Sequence, residues 1–264
     1  MAWRPTKLAL RGWRHAIQGM IPNIMVVGDS ISQGREGDYT WRYRFWRNLA
    51  LHDVAARFVG PWTGTWVSSA VQPAGHPAPP GDPVHSGRYR DGIRFGDSRH
   101  YASWGRLLNE AKDNIADAVA AYDADHLMVA LGFNDLAWGL SRPDRMMADI
   151  ETFVRRAREA NPDIQLLIAN VVHRTPLPEH PRLAGDITSY NRQLAAGLVA
   201  MSTARSRAVL VDLDAVYDPR FDTYDGVHPN MSGEIKIAKA FAGVFSSRFD
   251  YGRAGLLDPI PALG

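Results

Sequence analysis

The sequence predicts a three-layer α/β domain: one parallel sheet of five strands in the order 2-1-3-4-5, with helices on both faces. Short apolar runs alternate with segments of helical period, which is the pattern of βαβ units. The strand candidates are continuously apolar rather than alternating, as strands covered on both faces are. No internal repeat or linker divides the 264 residues, a length that one α/β domain accommodates. A single domain over residues 1–264 is therefore expected, with the strand order taken from this class of sheet.

Ile24 to Gly28 (IMVVG) is the first strand. Tyr39 to His52 places Trp41, Phe45, Trp46 and Leu49 on one helix face. Ala56 to Gly60 is the second strand. Pro61 to Arg99, rich in Gly, Pro and His, keeps no period, and a loop of that length is usually functional. Alternation then resumes. Arg106 to Tyr122 is a helix and His126 to Leu131 a strand. Asp144 to Ala160 is a helix stopped by Asn161-Pro162. Ile164 to Asn170 is a strand, Ala184 to Met201 a helix, and Ala208 to Asp212 the fifth strand. Pro229 to Phe245 closes the set as a helix, with Pro229 at its first position. The tail from Asp258 to Gly264, with two prolines, is expected to be irregular.

Composition narrows the function. Thirty basic and 28 acidic side chains leave a net charge of +2 with no basic tract, which gives no footing for a nucleic-acid partner. There is no cysteine, so thiolate catalysis, disulfides and cysteine-held metals are excluded. The longest apolar stretch near the N-terminus is Leu8-Ala9-Leu10, against roughly 7–15 residues in a secretory core. No run approaches the roughly 20 apolar residues of a membrane-spanning helix. The expectation is a cytoplasmic protein without a membrane partner, or a secreted one had a leader been removed. No HExxH or similar ligand spacing occurs, and neither a metal nor another cofactor is expected.

In doubly wound sheets the ligand crevice lies beyond the C-terminal strand ends. Three blocks fall there: Gly28-Asp29-Ser30 after strand one, Gly132-Phe133-Asn134-Asp135 after strand three, and Asp225-Gly226-Val227-His228 after strand five. Together they supply the groups of acyl transfer. A serine hydroxyl needs a base to take its proton, and a neutral imidazole suits pH 7. The imidazole needs a carboxylate to fix its tautomer. Asp225 and His228 are three residues apart, so a tight turn through Gly226 joins them. An oxyanion needs aimed donors; the Asn134 amide and the Ser30 backbone N–H are suitable.

These blocks, in this order and spacing, resemble those of the SGNH (GDSL-like) hydrolase superfamily, and the resemblance runs from about Ile24 to Phe245. The stretches GDYTWRYRFW (37–46), FVGPWTG (58–64), ALGFNDLAW (130–138) and DGVHPNMSGEIKIAKAF (225–241) look like actinobacterial GDSL esterases and carbohydrate esterases. The resemblance implies the flavodoxin-like SGNH fold, a Ser30–His228–Asp225 triad and an oxyanion hole containing Ser30 and Asn134. For the family's remaining glycine donor Gly105 matches best, with Gly60 as the competitor.

Other residues carry weaker signals. Asp135 reads as a structural hydrogen-bonding residue, and Asp29 receives no chemical role. Position 32 is Ser32, so the G-x-S-x-G elbow is absent. Trp41, Phe45 and Trp46 fit core packing better than a sugar platform. Trp62, Trp66, Trp104 and Trp138 fall in loops beside the motifs and are candidates for a substrate wall. His173-Arg174 follows strand four, where Arg174 would meet an acidic substrate group. His76, His85 and His100, in or beside the long loop, read as solvated. The expected activity is hydrolysis of a short-acyl ester of a polar or carbohydrate-like alcohol through a Ser30 acyl-enzyme. Acyl transfer to a sugar or metabolite hydroxyl is the alternative, followed by a non-catalytic carbohydrate-binding fold.

Overall fold

The computed structural model describes residues 21–67 and 85–249. The proline-rich run at 77–81, His76 and the C-terminal tail lie outside the described residues.

Strand β1 (Asn23–Gly28) is the axis of the sheet, and Ile24 to Val27 are fully buried. On one side it pairs in parallel with β4 (His126–Ala130), followed by β5 (Gln165–Ala169) and β6 (Ala208–Val211). Two short strands share its other edge. β2 (Arg57–Phe58) pairs with Asn23 and Ile24, and β3 (Tyr101–Ala102) pairs with Val27 and Gly28. The order β2-β1-β4-β5-β6 reproduces the expected 2-1-3-4-5. The sixth strand, β3, is new: two residues at the end of a long loop carry no readable period.

Helices α2 (Trp41–Leu51) and α7 (Met231–Phe249) pack together on one face. On the other, α5 (Pro143–Ala160) packs between α3 (Leu108–Tyr122) and α6 (Leu183–Met201). Short α1 (Ser30–Gln33) and α4 (Phe133–Ala137) follow β1 and β4. Trp41 stacks on Phe241 at 4.7 Å, and Phe45 meets Phe58 and Phe245 edge-on. Trp41 and Phe45 are therefore core, and Trp46 packs against it. A buried Arg44–Glu234 pair at 3.4 Å also ties α2 to α7. Desolvation outweighs that ion pair and raises the Glu234 carboxyl to about 7.

Two helix starts differ from expectation. α7 begins at Met231 rather than Pro229, because Asn230 caps it: its side-chain oxygen accepts from the N–H groups of Ser232 and Gly233. α3 begins at Leu108 rather than Arg106, where the Asp135 carboxylate accepts from Leu108 and Asn109. Asp135 thus has the structural role its sequence position indicated. The long loop corrects a further expectation, since His85 and His100 are buried rather than solvated. His100 Nε2 lies 2.9 Å from the Gly64 carbonyl, and its Nδ1 accepts from Ala102 N–H at 3.1 Å. Burial, with Arg42 nearby, pushes its imidazole well below the usual range, so it stays neutral.

Candidate active site

The three sequence blocks converge at the C-terminal end of the sheet. After β1 the chain turns at once into α1. Asp29 caps this helix, its carboxylate accepting from Ile31 N–H at 2.9 Å, and Ser30 is the first helical residue. The Ser30 N–H therefore has no acceptor within its own helix. The turn leaves no room beside Gly28, where a β-carbon would lie 2.4 Å from Ser32 Oγ.

His228 Nε2 stands 2.9 Å from Ser30 Oγ, and its Nδ1 stands 2.6 Å from Asp225 Oδ2. The second carboxylate oxygen accepts from the N–H groups of His228 (2.8 Å) and Val227 (3.1 Å). A carboxylate at Nδ1 favours the tautomer with Nδ1 protonated, leaving Nε2 to accept the serine proton. Burial raises the Asp225 carboxyl, but the His228 hydrogen bonds outweigh it and hold the group below the usual range. It remains ionised.

The turn itself is braced. Gly226 has φ +89°, and a β-carbon there would lie 2.1 Å from Thr175 Oγ1. Thr175 N–H also donates to the Gly226 carbonyl at 3.0 Å. The Tyr217 hydroxyl donates to the Val227 carbonyl at 3.0 Å.

Asn134 is the second residue of α4 and is buried, like Ser30. One of its two amide hydrogens is engaged, since Nδ2 donates to the Arg106 carbonyl at 3.2 Å. That bond sets Asn134 against the Ser103–Arg106 turn, which contains Gly105 at φ +76°. The strand and helix that carry Ser30 hold the turn too: Ser103 N–H donates to the Gly28 carbonyl and Trp104 N–H to Gln33 Oε1. Gly60 is elsewhere. A β-carbon on it would lie 2.4 Å from the His100 carbonyl oxygen, so close backbone packing explains that glycine.

The remaining sequence candidates divide. Trp104 stacks on the His228 ring at 4.6 Å, and Trp66 stacks on Trp104 at 4.3 Å. Trp138 is 56 % exposed, with its ring edge against Gly105. Trp62 lies flat on His85 at 3.8 Å, in a cluster with His100 and Tyr101. His173 is tied to Asp214, and Arg174 Nε donates to the Thr175 carbonyl at 3.1 Å, beside the Gly226 turn. Sequence reasoning missed Gln33 and Tyr224, the latter stacked on His228 at 5.7 Å. Their only signal is adjacency, one within the GDSISQG stretch and the other immediately before DGVH.

Asp29 lies under this site, 2 % exposed. Burial, with a smaller push from Asp135, raises its carboxyl to about 7 against the opposing Ile31 hydrogen bond. Among the described residues no three His, Cys, Asp or Glu side chains are grouped to hold a metal, and no helix is long and apolar enough to cross a membrane.

The family model for GDSL-like lipase/acylhydrolase proteins matches residues 24–241. Among solved structures, a carbohydrate esterase family 3 protein from Talaromyces cellulolyticus is 22 % identical with a TM-score of 0.67, over 84 % of this chain and 95 % of that one. A family 3 carbohydrate esterase from Clostridium thermocellum is 20 % identical with a TM-score of 0.63, over 88 % and 96 %. An acetyl esterase mutant with acetate ion is 20 % identical with a TM-score of 0.66, over 84 % and 95 %. These likenesses show the fold. No curated protein sequence matches the chain. The chain belongs to the GDSL-like lipase/acylhydrolase family of the SGNH superfamily and is a hydrolase acting on ester bonds.

Proposed function

We propose that this chain hydrolyses short-acyl esters of polar, carbohydrate-like alcohols through a Ser30 acyl-enzyme. The observation that carries this reading is the continuous relay from Ser30 Oγ through His228 to Asp225, with links of 2.9 and 2.6 Å.

Ser30 Oγ attacks the ester carbonyl carbon as its proton passes to His228 Nε2. The resulting imidazolium is stabilised by the ionised Asp225. Negative charge on the carbonyl oxygen is received by the N–H groups of Ser30 and Gly105 and the second amide hydrogen of Asn134. Collapse of the intermediate expels the alcohol, whose oxygen takes the proton from His228. Water, deprotonated by the same imidazole, then releases the acid.

Two observations support the substrate class. Similar solved structures are carbohydrate esterases and an acetyl esterase. Trp138 at the rim and Trp66 behind Trp104 offer aromatic surface near the Gly105 turn, suited to a sugar face. In this reading Arg174, beside the triad turn, would meet an acidic group on the alcohol.

Release of p-nitrophenol from p-nitrophenyl acetate and butyrate, measured beside Ser30→Ala, tests the acyl-enzyme. Activity that survives the substitution would remove Ser30 from the chemistry. A panel of acetylated sugars and long-chain triglycerides tests the substrate class, and preference for the triglycerides would sink it.

A further inference from the structure

We infer that Trp104 and Tyr224 are positioning residues that act through His228, holding the imidazole between two ring faces and stabilising its cationic form. This inference rests on the acyl-enzyme reading above.

Both rings stack on His228: Trp104 at 4.6 Å between centroids and 21° between planes, Tyr224 at 5.7 Å and 15°. Among the described residues no ring contact joins the two directly, so each meets the imidazole on its own. The stack continues outward on each side. Trp66 lies on Trp104 at 4.3 Å, and the Arg35 guanidinium sits 3.6 Å from the centre of the Tyr224 ring. Asp38 anchors that guanidinium at 3.5 Å and accepts from Arg35 N–H at 2.9 Å. The column thus runs Trp66, Trp104, His228, Tyr224, Arg35.

Its backbone is fixed independently. Trp104 N–H is held by Gln33 Oε1 at 2.6 Å, and Tyr224 N–H donates to the His228 carbonyl at 3.1 Å. The rings therefore constrain the imidazole's tilt, while Asp225 constrains its rotation within the ring plane.

The electrostatic effect of the rings acts during the reaction rather than in the resting site. The aromatic face carries negative charge density and attracts a cation more than a neutral ring. His228 is neutral before Ser30 attacks and cationic while the tetrahedral intermediate exists. An interaction that strengthens on that change lowers the barrier without tightening substrate binding. The charged groups around the imidazole are Asp225, Asp38 and Arg35. Arg35 is paired with Asp38, whose carboxylate offsets its charge near the imidazolium.

The test compares Trp104→Leu and Tyr224→Leu with Trp104→Phe and Tyr224→Phe. The readouts are kcat and KM on p-nitrophenyl acetate and butyrate, and the rate of inactivation by phenylmethylsulfonyl fluoride, which reports attack by Ser30. Each Leu variant is expected to lose about two- to thirtyfold in kcat, by the same factor on both esters. KM should stay within about twofold, and the inactivation rate should fall in step. The Phe variants should recover most of the loss. Tyr224 is 36 % exposed, so Tyr224→Leu carries the test if Trp104→Leu fails to fold. A rise in KM with kcat retained would make these rings a substrate wall and overturn the inference, as would Leu variants with unchanged kinetics. Ser30→Ala separates the two readings. Activity surviving it defeats the acyl-enzyme, whereas Ser30-dependent activity indifferent to the Leu substitutions defeats only the inference drawn here.

Discussion

The structure contains two histidine–aspartate pairs of nearly the same local geometry. His228 Nδ1 meets Asp225 at 2.6 Å, and His173 Nδ1 meets Asp214 at 2.8 Å. In each, the carboxylate also accepts the backbone N–H of its own histidine, at 2.8 Å in both cases. Even the third member is a hydroxyl: Ser30 Oγ at 2.9 Å from His228 Nε2, Thr188 Oγ1 at 3.2 Å from His173 Nε2. The direction of the last hydrogen bond separates them. Thr188 lies inside α6 and gives its hydrogen to the Ala184 carbonyl at 2.9 Å, one turn earlier. Ser30 is the first residue of α1, and its Oγ meets His228 Nε2. The His173 pair is thus tied into the fold through Thr188, and the mechanism proposed above gives the His228 pair the part of the base.

The widest separation is expected between His228→Ala and His173→Ala. Loss of His228, like loss of Ser30, should lower kcat on p-nitrophenyl acetate by about 10⁴-fold or more, whereas His173→Ala should keep kcat within a few fold. Equal losses would erase the distinction. Asn134→Ala comes next, with an expected fall of about 10²–10³ in kcat and little change in KM, read on the same substrate. Asp214→Ala should leave kcat/KM within about threefold but destabilise the fold by roughly 1–3 kcal/mol, measured by denaturant unfolding. That carboxylate also accepts from Asn191 Nδ2 at 3.3 Å.

The smallest effect concerns Asp29. Its folded carboxyl titrates near 7, above the unfolded value of 3.8. Stability is therefore full below pH 3.8 and is lost as pH rises through 7, because ionisation is penalised only in the fold. Asp29→Asn keeps a capping oxygen and removes this penalty. The melting temperature of the variant relative to the parent should be higher at about pH 8 than at about pH 5. A difference independent of pH would show that Asp29 is already ionised when folded.

The strands and the three chemical blocks were legible because Ile24–Val27, Leu127–Val129 and Leu166–Ile168 are continuous buried runs, and crevice residues follow such runs; the strand order came from the class of sheet. The pairing of Asp225 with His228 was legible because it is local. Elements of two to five residues, α1, β3 and α4, are too short to show a period. The burial of His85 and His100 depends on carbonyls of Ala102 and Gly64, partners that composition does not indicate. The same holds for Tyr224, whose ring meets His228 only because Thr223 and Pro229 bridge across the turn. His173 looked like a crevice residue because it follows a strand, as the clasp with Asp214 also requires.

The divided edge of β1 has a consequence for how this protein diversifies. β2 closes the lower half of that edge and β3 the upper half, so the chain leaves the sheet after Phe58 and rejoins it at Tyr101, on the neighbouring rung. Among the described residues between those points, 59–67 and 85–100, none belongs to a strand of the sheet. A segment exchanged between these two junctions would replace Trp62 and Trp66 themselves, while the residues of β1, Ser30 and the turn of His228 stay as they are. Such an exchange would reach as far as the Trp66 ring that lies on Trp104, the outer layer of the stack on His228.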